Sequence, residues 1–149
     1  ALFYAMKAGI PALADDAGLE IMALNGEPGV RSRRWLGYAA TDEELFAHIT
    51  KVAKELPDEN RQAFFKTVIS FARPDGTVTS AAGEIEGIVP KEPYKEVMKG
   101  YPYRSFFYLP QLGKYYYESD LTTDEQYEHN HRYRAIQKLK PTLLSYYKT

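Results

Sequence analysis

Two adjacent carboxylates, Asp15 and Asp16, stand between short apolar runs at residues 11–14 and 19–24, with Gly18 close behind them. Acids at the end of a strand can hold a divalent cation over a substrate and orient a water, the two tasks that cleavage of a phosphate chain requires. The plainer use of such acids is to cap a turn before a glycine, and spacing alone favours it. Arg31, Arg33 and Arg34 follow the turn pairs Asn25-Gly26 and Pro28-Gly29; their charge suits phosphate and equally suits a solvated surface. Tyr101 and Tyr103 lie in an aromatic, proline-interrupted stretch, able to stack on a planar ring or to fill a core. Asn130, His131 and Arg132 open a helical pattern. By themselves they read as a cap followed by a histidine packed on a sheet.

The elements that would carry these residues are legible in outline. Residues 1–9 are helix formers that stop at a glycine, the end of a helix. Residues 11–14 read as a short buried strand and 19–24 as a second one, with a tight turn at Gly18 between them and a loop over 25–29. Thr41 and Glu44 have capping-box spacing, and Leu45, Phe46, Ile49, Val52, Ala53 and Leu56 recur on one helical face until Pro57 ends it. Residues 61–72 and 77–89, joined by Pro74-Asp75-Gly76, read as a long strand and its return. Gly83 and Gly87 inside the return predict a bulge or a close backbone approach. Residues 91–113 are irregular, and 115–117 could form a short strand. Thr122 or Thr123 caps a helix reaching about His129, and a last helix spans 131–148, with Pro141 predicted to kink or restart it. Strands alternating with helices, plus one hairpin, predict an α/β fold with a mixed sheet flanked by helices, and residues 1–149 read as one domain.

Composition sets bounds. The chain has 149 residues, 44% of them hydrophobic and 26% charged, enough for one domain with a real core. The formal net charge is −1, which lacks the basic footprint of a general nucleic-acid binder. With no cysteine there is no disulfide framework and no thiol nucleophile. No apolar run has membrane-spanning length, and the expected setting is the cytoplasm.

Several segments in order resemble the inosine/xanthosine triphosphatases, the house-cleaning nucleoside triphosphate pyrophosphatases. Residues 11–19, PALADDAGL, resemble that family's PALADDSGL. Residues 25–33, NGEPGVRSR, resemble NGAPGVYSAR. Thr41-Asp42 falls at a helix start of that family, residues 61–65 match its RxAxF strand, and 83–89 match G-x-x-x-G-x-I. Asn130-His131-Arg132 with Ala135 follows an SHRxxA pattern. The resemblance implies an elongated, two-lobed α/β fold around a nucleotide cleft. It implies a homodimer that splits ITP, XTP and dITP into monophosphate and pyrophosphate with Mg2+. On this basis Asp16 is the expected base and metal ligand, and Asp15 a metal-linked partner. Ala17, Tyr101, Tyr103, Arg104, Gln126, His131 and Arg132 are expected at the substrate. Tyr101 would stack on the base, and His131 and Arg132 would read the carbonyl that separates inosine and xanthine from adenine.

The chain also departs from that pattern. Ala17 replaces a small polar residue, Arg104 an aspartate, Ser105 a proline, Asn130 a serine, and Gln126 stands at a lysine position. Arg104 either takes over that lysine's role or marks a changed substrate or lost activity. The family's T/S-x-N-x-x-K loop, with the glutamate and lysine that follow it, has no counterpart, so the expected fold is an N-terminally truncated one with a reduced cradle for phosphates. The alternative is a catalytically impaired nucleotide-binding or dimerisation module of the same fold.

Overall fold

The computed structural model describes residues 1–148; Thr149, the last residue of the expected domain, lies outside them. Helix α1 (Leu2–Ala8) ends at Gly9, whose φ of 68° closes it in the left-handed region. Strand β1 (Ala12–Ile21) is followed by a 3-10 turn and the two-residue strand β2 (Glu27–Pro28). A 3-10 segment, Gly29–Arg34, then leads to helix α2 (Asp42–Glu55). Strands β3 (Gln62–Ala72) and β4 (Val78–Ile88) form the central hairpin. Strands β5 (Tyr108–Leu109) and β6 (Lys114–Tyr115) complete the sheet, and helices α3 (Thr123–Glu128) and α4 (His131–Tyr147) follow.

The sheet order is β2-β1-β3-β4-β5-β6. The α/β class and the helix-flanked sheet are as expected; pairing is antiparallel throughout the described residues, which strand–helix alternation does not decide. Two local readings change. Residues 11–14 and 19–24 do not form two strands about a turn: β1 runs unbroken past Gly18 and pairs with β3 from Ala12↔Ala72 to Ile21↔Ala63. The long partner strand supplies hydrogen bonds across the position where local composition favoured a turn. Helix α4 likewise continues through Pro141 without restarting. Leu139, Ala135 and Ile69 form a small core under it, and Tyr146 meets Phe71 beyond the proline, so tertiary contacts hold the helix on both sides of Pro141.

The main core gathers where α2 crosses the sheet. Thr41 and Glu44 form the full capping box, and Leu45, Ile49 and Ala53 are buried against Leu19, Ile21, Phe65, Ile85, Phe106 and Phe107. Each of Leu45 and Ile49 contributes roughly 1.5–3 kcal/mol relative to exposure. Arg61 closes the far end of the helix. Its guanidinium donates to the helix-end carbonyls of Ala53 (2.5 Å) and Leu56 (2.8 Å), which have no partner within the helix, and to the carbonyl of Val89 just past β4 (2.7 Å).

Helix α4 covers the outer edge of β4 where β5 no longer pairs with it. Arg134 donates to the Glu84 carbonyl (2.9 Å) and Lys138 to the Ala82 carbonyl (2.7 Å). The approach is close because of Gly83. A Cβ there would stand 2.0 Å from the His131 carbonyl oxygen. The register of β3 on β4 is unbroken from Gln62↔Ile88 to Ala72↔Val78, so Gly83 and Gly87 mark close approaches and not a bulge.

Candidate functional site

Alternation along β1 turns Asp15 and Asp16 to opposite faces of the sheet, because successive side chains of a strand point apart. Gly18 lets the 3-10 segment come down onto this strand: a Cβ there would lie 2.2 Å from the Gly29 carbonyl oxygen. Ser32 fixes the contact, accepting from the Leu19 amide (3.0 Å) and donating to the Gly29 carbonyl (2.6 Å). Two cavities share Ala17 and Gly18 as a wall.

The first, of about 160 Å³, is a narrow slot bounded by Tyr101, Tyr103, Arg104, Tyr116, His131 and Arg132, with Arg33 at its rim and Phe65 and Leu45 beneath. Three guanidinium groups border it and no carboxylate does. The loop carrying Tyr101 is tied to α2: Asp42 accepts from the Gly100 amide at 2.5 Å and pairs with Arg33. Those partners hold the Asp42 carboxyl below its ordinary pKa. Tyr101 is half exposed, and the Arg104 guanidinium lies 4.7 Å from its ring centroid and 4.8 Å from that of Tyr116. Flat and weakly hydrated, a guanidinium stacks readily on aromatic faces. Tyr103 is buried and spends its hydroxyl on the Ser32 carbonyl (2.5 Å). Burial drives that hydroxyl's pKa up, so it stays neutral.

His131 forms the inner wall. It is 2% exposed and stacks on Phe65 at 5.5 Å with the rings 16° apart. Asn130 caps the helix by accepting from the Tyr133 amide (3.0 Å). Burial, then the charges of Arg132 and Arg104, push the His131 pKa down to about 3. Among the described residues, its Nδ1 and the Tyr116 hydroxyl are buried without hydrogen-bond partners. Tyr116 was not expected at the site; its sequence neighbourhood, a run of three tyrosines, gave no means to choose among them.

The second cavity, of about 380 Å³, is lined by Asp16, Glu20, Lys66, Lys138 and the backbone of Gly29. Lys66 pairs with Glu20 at 2.6 Å. Among the described residues, the Asp16 side chain has no hydrogen-bond or ion-pair partner, so its carboxylate is available to a ligand.

Asp15 and Gln126, also expected at the site, already have partners within the chain. Both Asp15 oxygens already have donors: Thr67 on one, and Arg132 Nε on the other at 2.6 Å. Burial acts to raise the Asp15 pKa, but these hydrogen bonds and the Arg132 charge outweigh it and hold it low. The strand's alternation and the start of α4 thus bring Asp15 to Arg132. Gln126 donates to the carbonyls of Glu118 and Leu121 (3.2 Å each) and lines a small cavity that shares Arg104 and Tyr116 with the slot. No group of three or more His, Asp or Glu side chains able to cage a metal occurs among the described residues.

The buried neutral His131 has a consequence for stability. Between its unfolded value near 6.5 and its folded value near 3, the unfolded chain binds a proton that the folded chain refuses. Stability is therefore expected to fall as pH drops through that window. Calorimetric Tm should decline from pH 6.5 towards pH 4, and less steeply in His131→Phe. Parallel curves for the two proteins would contradict the assignment.

A family model described as Ham1 family matches residues 1–142. A Thermus thermophilus protein named dITP/XTP pyrophosphatase is 40% identical over 139 residues, covering 93% of this chain and 65% of that protein. A Shigella flexneri protein of the same name is 35% identical over 137 residues, covering 91% and 68%. The chain thus spans just under two thirds of the Thermus relative's length. A Ham1 protein structure from Coxiella burnetii superimposes with a TM-score of 0.77 at 34% identity, over 95% of this chain and 71% of that one. The Staphylococcus aureus Ham1 structure gives 0.76 at 32% identity, over 93% and 70%. Matched across nearly its whole length in both sequence and fold, the chain belongs to the Ham1 family.

Proposed function

We propose that this chain hydrolyses non-canonical purine nucleoside triphosphates, ITP, XTP and dITP, to the monophosphate and pyrophosphate. The observation that carries this reading is the carboxylate-free slot bordered by Arg33, Arg104 and Arg132, with buried His131 as its wall. Such a wall takes hydrogen-bond acceptors and offers nothing ionic to an exocyclic amine. A purine with a carbonyl at that edge fits it; adenine, with an amino donor there, leaves polar groups unpaired, which costs specificity. The names of the Thermus and Shigella relatives support the same substrate class.

Tyr101, half exposed at the mouth of the slot, is the face on which the base would stack. Across the shared wall, free Asp16 is the group to orient a water and accept its proton. Mg2+ is commonly held by one or two carboxylates together with the substrate's own phosphates. Unpartnered Asp16 fits that use, with Asp15 beside it in the strand and paired to Arg132. When bound, the cation would neutralise charge developing on the phosphates. A homodimer and a cytoplasmic setting belong to the same proposal. Phe3, Tyr4 and Met6 leave an apolar surface on α1 that a second copy would cover.

The test is pyrophosphate release from ITP, XTP and dITP with Mg2+, beside ATP and GTP. Turnover of the oxopurine triphosphates with ATP the poorest substrate is expected. Folded protein that binds nucleotide without any release would favour the alternative of a catalytically impaired binding module.

A further inference from the structure

Asp15, Arg132 and His131 form a hydrogen-bonded chain that runs from the middle of β1 to the wall of the slot. Arg132 donates through Nε to Asp15 at 2.6 Å, and its Nη1 lies 3.1 Å from His131 Nε2. Thr67 donates to the other oxygen of Asp15 and fixes the carboxylate from β3. A guanidinium has only donors. His131 Nε2 must therefore be the acceptor in this contact, and in the neutral ring the hydrogen falls on Nδ1. That nitrogen is buried and has no partner among the described residues.

We propose that Asp15 and Arg132 are positioning residues that lock His131, on the inner wall of the slot, in the Nδ1–H tautomer, leaving a buried hydrogen without an acceptor in the chain for a base carbonyl to meet. The carbonyl part of this rests on the oxopurine reading above; the lock itself does not. Without Arg132 the imidazole is free to place its hydrogen on Nε2, leaving a bare acceptor at Nδ1. Such an acceptor tolerates the amino group of adenine and repels a carbonyl. Selectivity then depends on a carboxylate that touches no substrate, aligned through one arginine. This gives Asp15 a role distinct from that of its neighbour Asp16, and the distinction follows from strand alternation.

The experiment is long-range proton–nitrogen NMR of the His131 ring at neutral pH in the full 149-residue chain. The wild type should show a protonated Nδ1 and an unprotonated Nε2. In Arg132→Met and in Asp15→Asn, the Nε2–H form should become populated, and Asp15→Glu should restore the wild-type pattern in part. The preference for ITP over ATP should fall roughly tenfold to a hundredfold in the first two variants, the effect of one buried donor left unpaired. An Nε2–H tautomer in the wild type overturns the proposal, as does an unchanged Nδ1–H form in a folded Arg132→Met. If the wild type shows Nδ1–H but no triphosphate is turned over, the lock stands and the hydrolase reading falls. Turnover with Nε2–H does the reverse.

Discussion

Asp16→Asn is expected to lower pyrophosphate release from ITP by about 10²–10⁴-fold, the range that a positioned general base contributes. The substitution keeps the side chain's shape. Among the described residues Asp16 has no hydrogen-bond or ion-pair partner, so no structural interaction is lost with the charge. Thermal stability and nucleotide binding in the slot should therefore persist while turnover fails. Single-turnover kinetics beside calorimetric binding would separate the two. The contrast with Asp15→Asn is informative. That change removes the ion pair to Arg132 (2.6 Å) and weakens acceptance from Thr67, so it should alter base preference more than the chemical step. Near-wild-type turnover by Asp16→Asn would remove Asp16 from the mechanism.

Gly83→Ala is expected to destabilise the fold by about 3 kcal/mol, at the upper end of what overpacking usually costs. For a chain of this length that is a fall in Tm of roughly 6–12 °C. The new Cβ would meet the His131 carbonyl oxygen at 2.0 Å and the Ala135 amide nitrogen at 2.7 Å. Both are backbone atoms of the first turns of α4, so the helix itself must move. Displacing it carries His131 and Arg132 away from the slot and from Asp15, and base preference should weaken together with stability. Gly76→Ala is the comparison: its glycine has a φ of 94° but open space around it. There the cost should come from backbone strain alone, on the order of 1 kcal/mol. Equal melting temperatures for Gly83→Ala and the wild type would show that α4 is not held against β4 as described.

Much of the fold was legible because its signals are local. The capping box of Thr41 and Glu44, the periodic face from Leu45 to Leu56 and the turn at Pro74-Asp75-Gly76 each rest on residues a few positions apart, and each is found where it was read. The break read into β1 at Gly18 failed for the opposite reason. Whether a glycine turns or runs straight there depends on β3, some fifty positions further along the chain, and on the backbone of Gly29 pressing on it. Arg104 shows the same division: a charge change was visible in the sequence, but its stacking between Tyr101 and Tyr116 was not.

The opening acids mark where the two kinds of information part. Residue order and spacing alone establish the adjacent carboxylates Asp15 and Asp16 in an ordered set of motifs, a helix beginning at His131, and an α/β chain. What each acid touches follows from the packing. Alternation along a strand sends neighbours to opposite faces, and the close approach of α4 over Gly83 brings Arg132 to Asp15 across 117 positions of sequence. One acid is thereby bound to Arg132 beside His131, and the other is left free facing the second cavity.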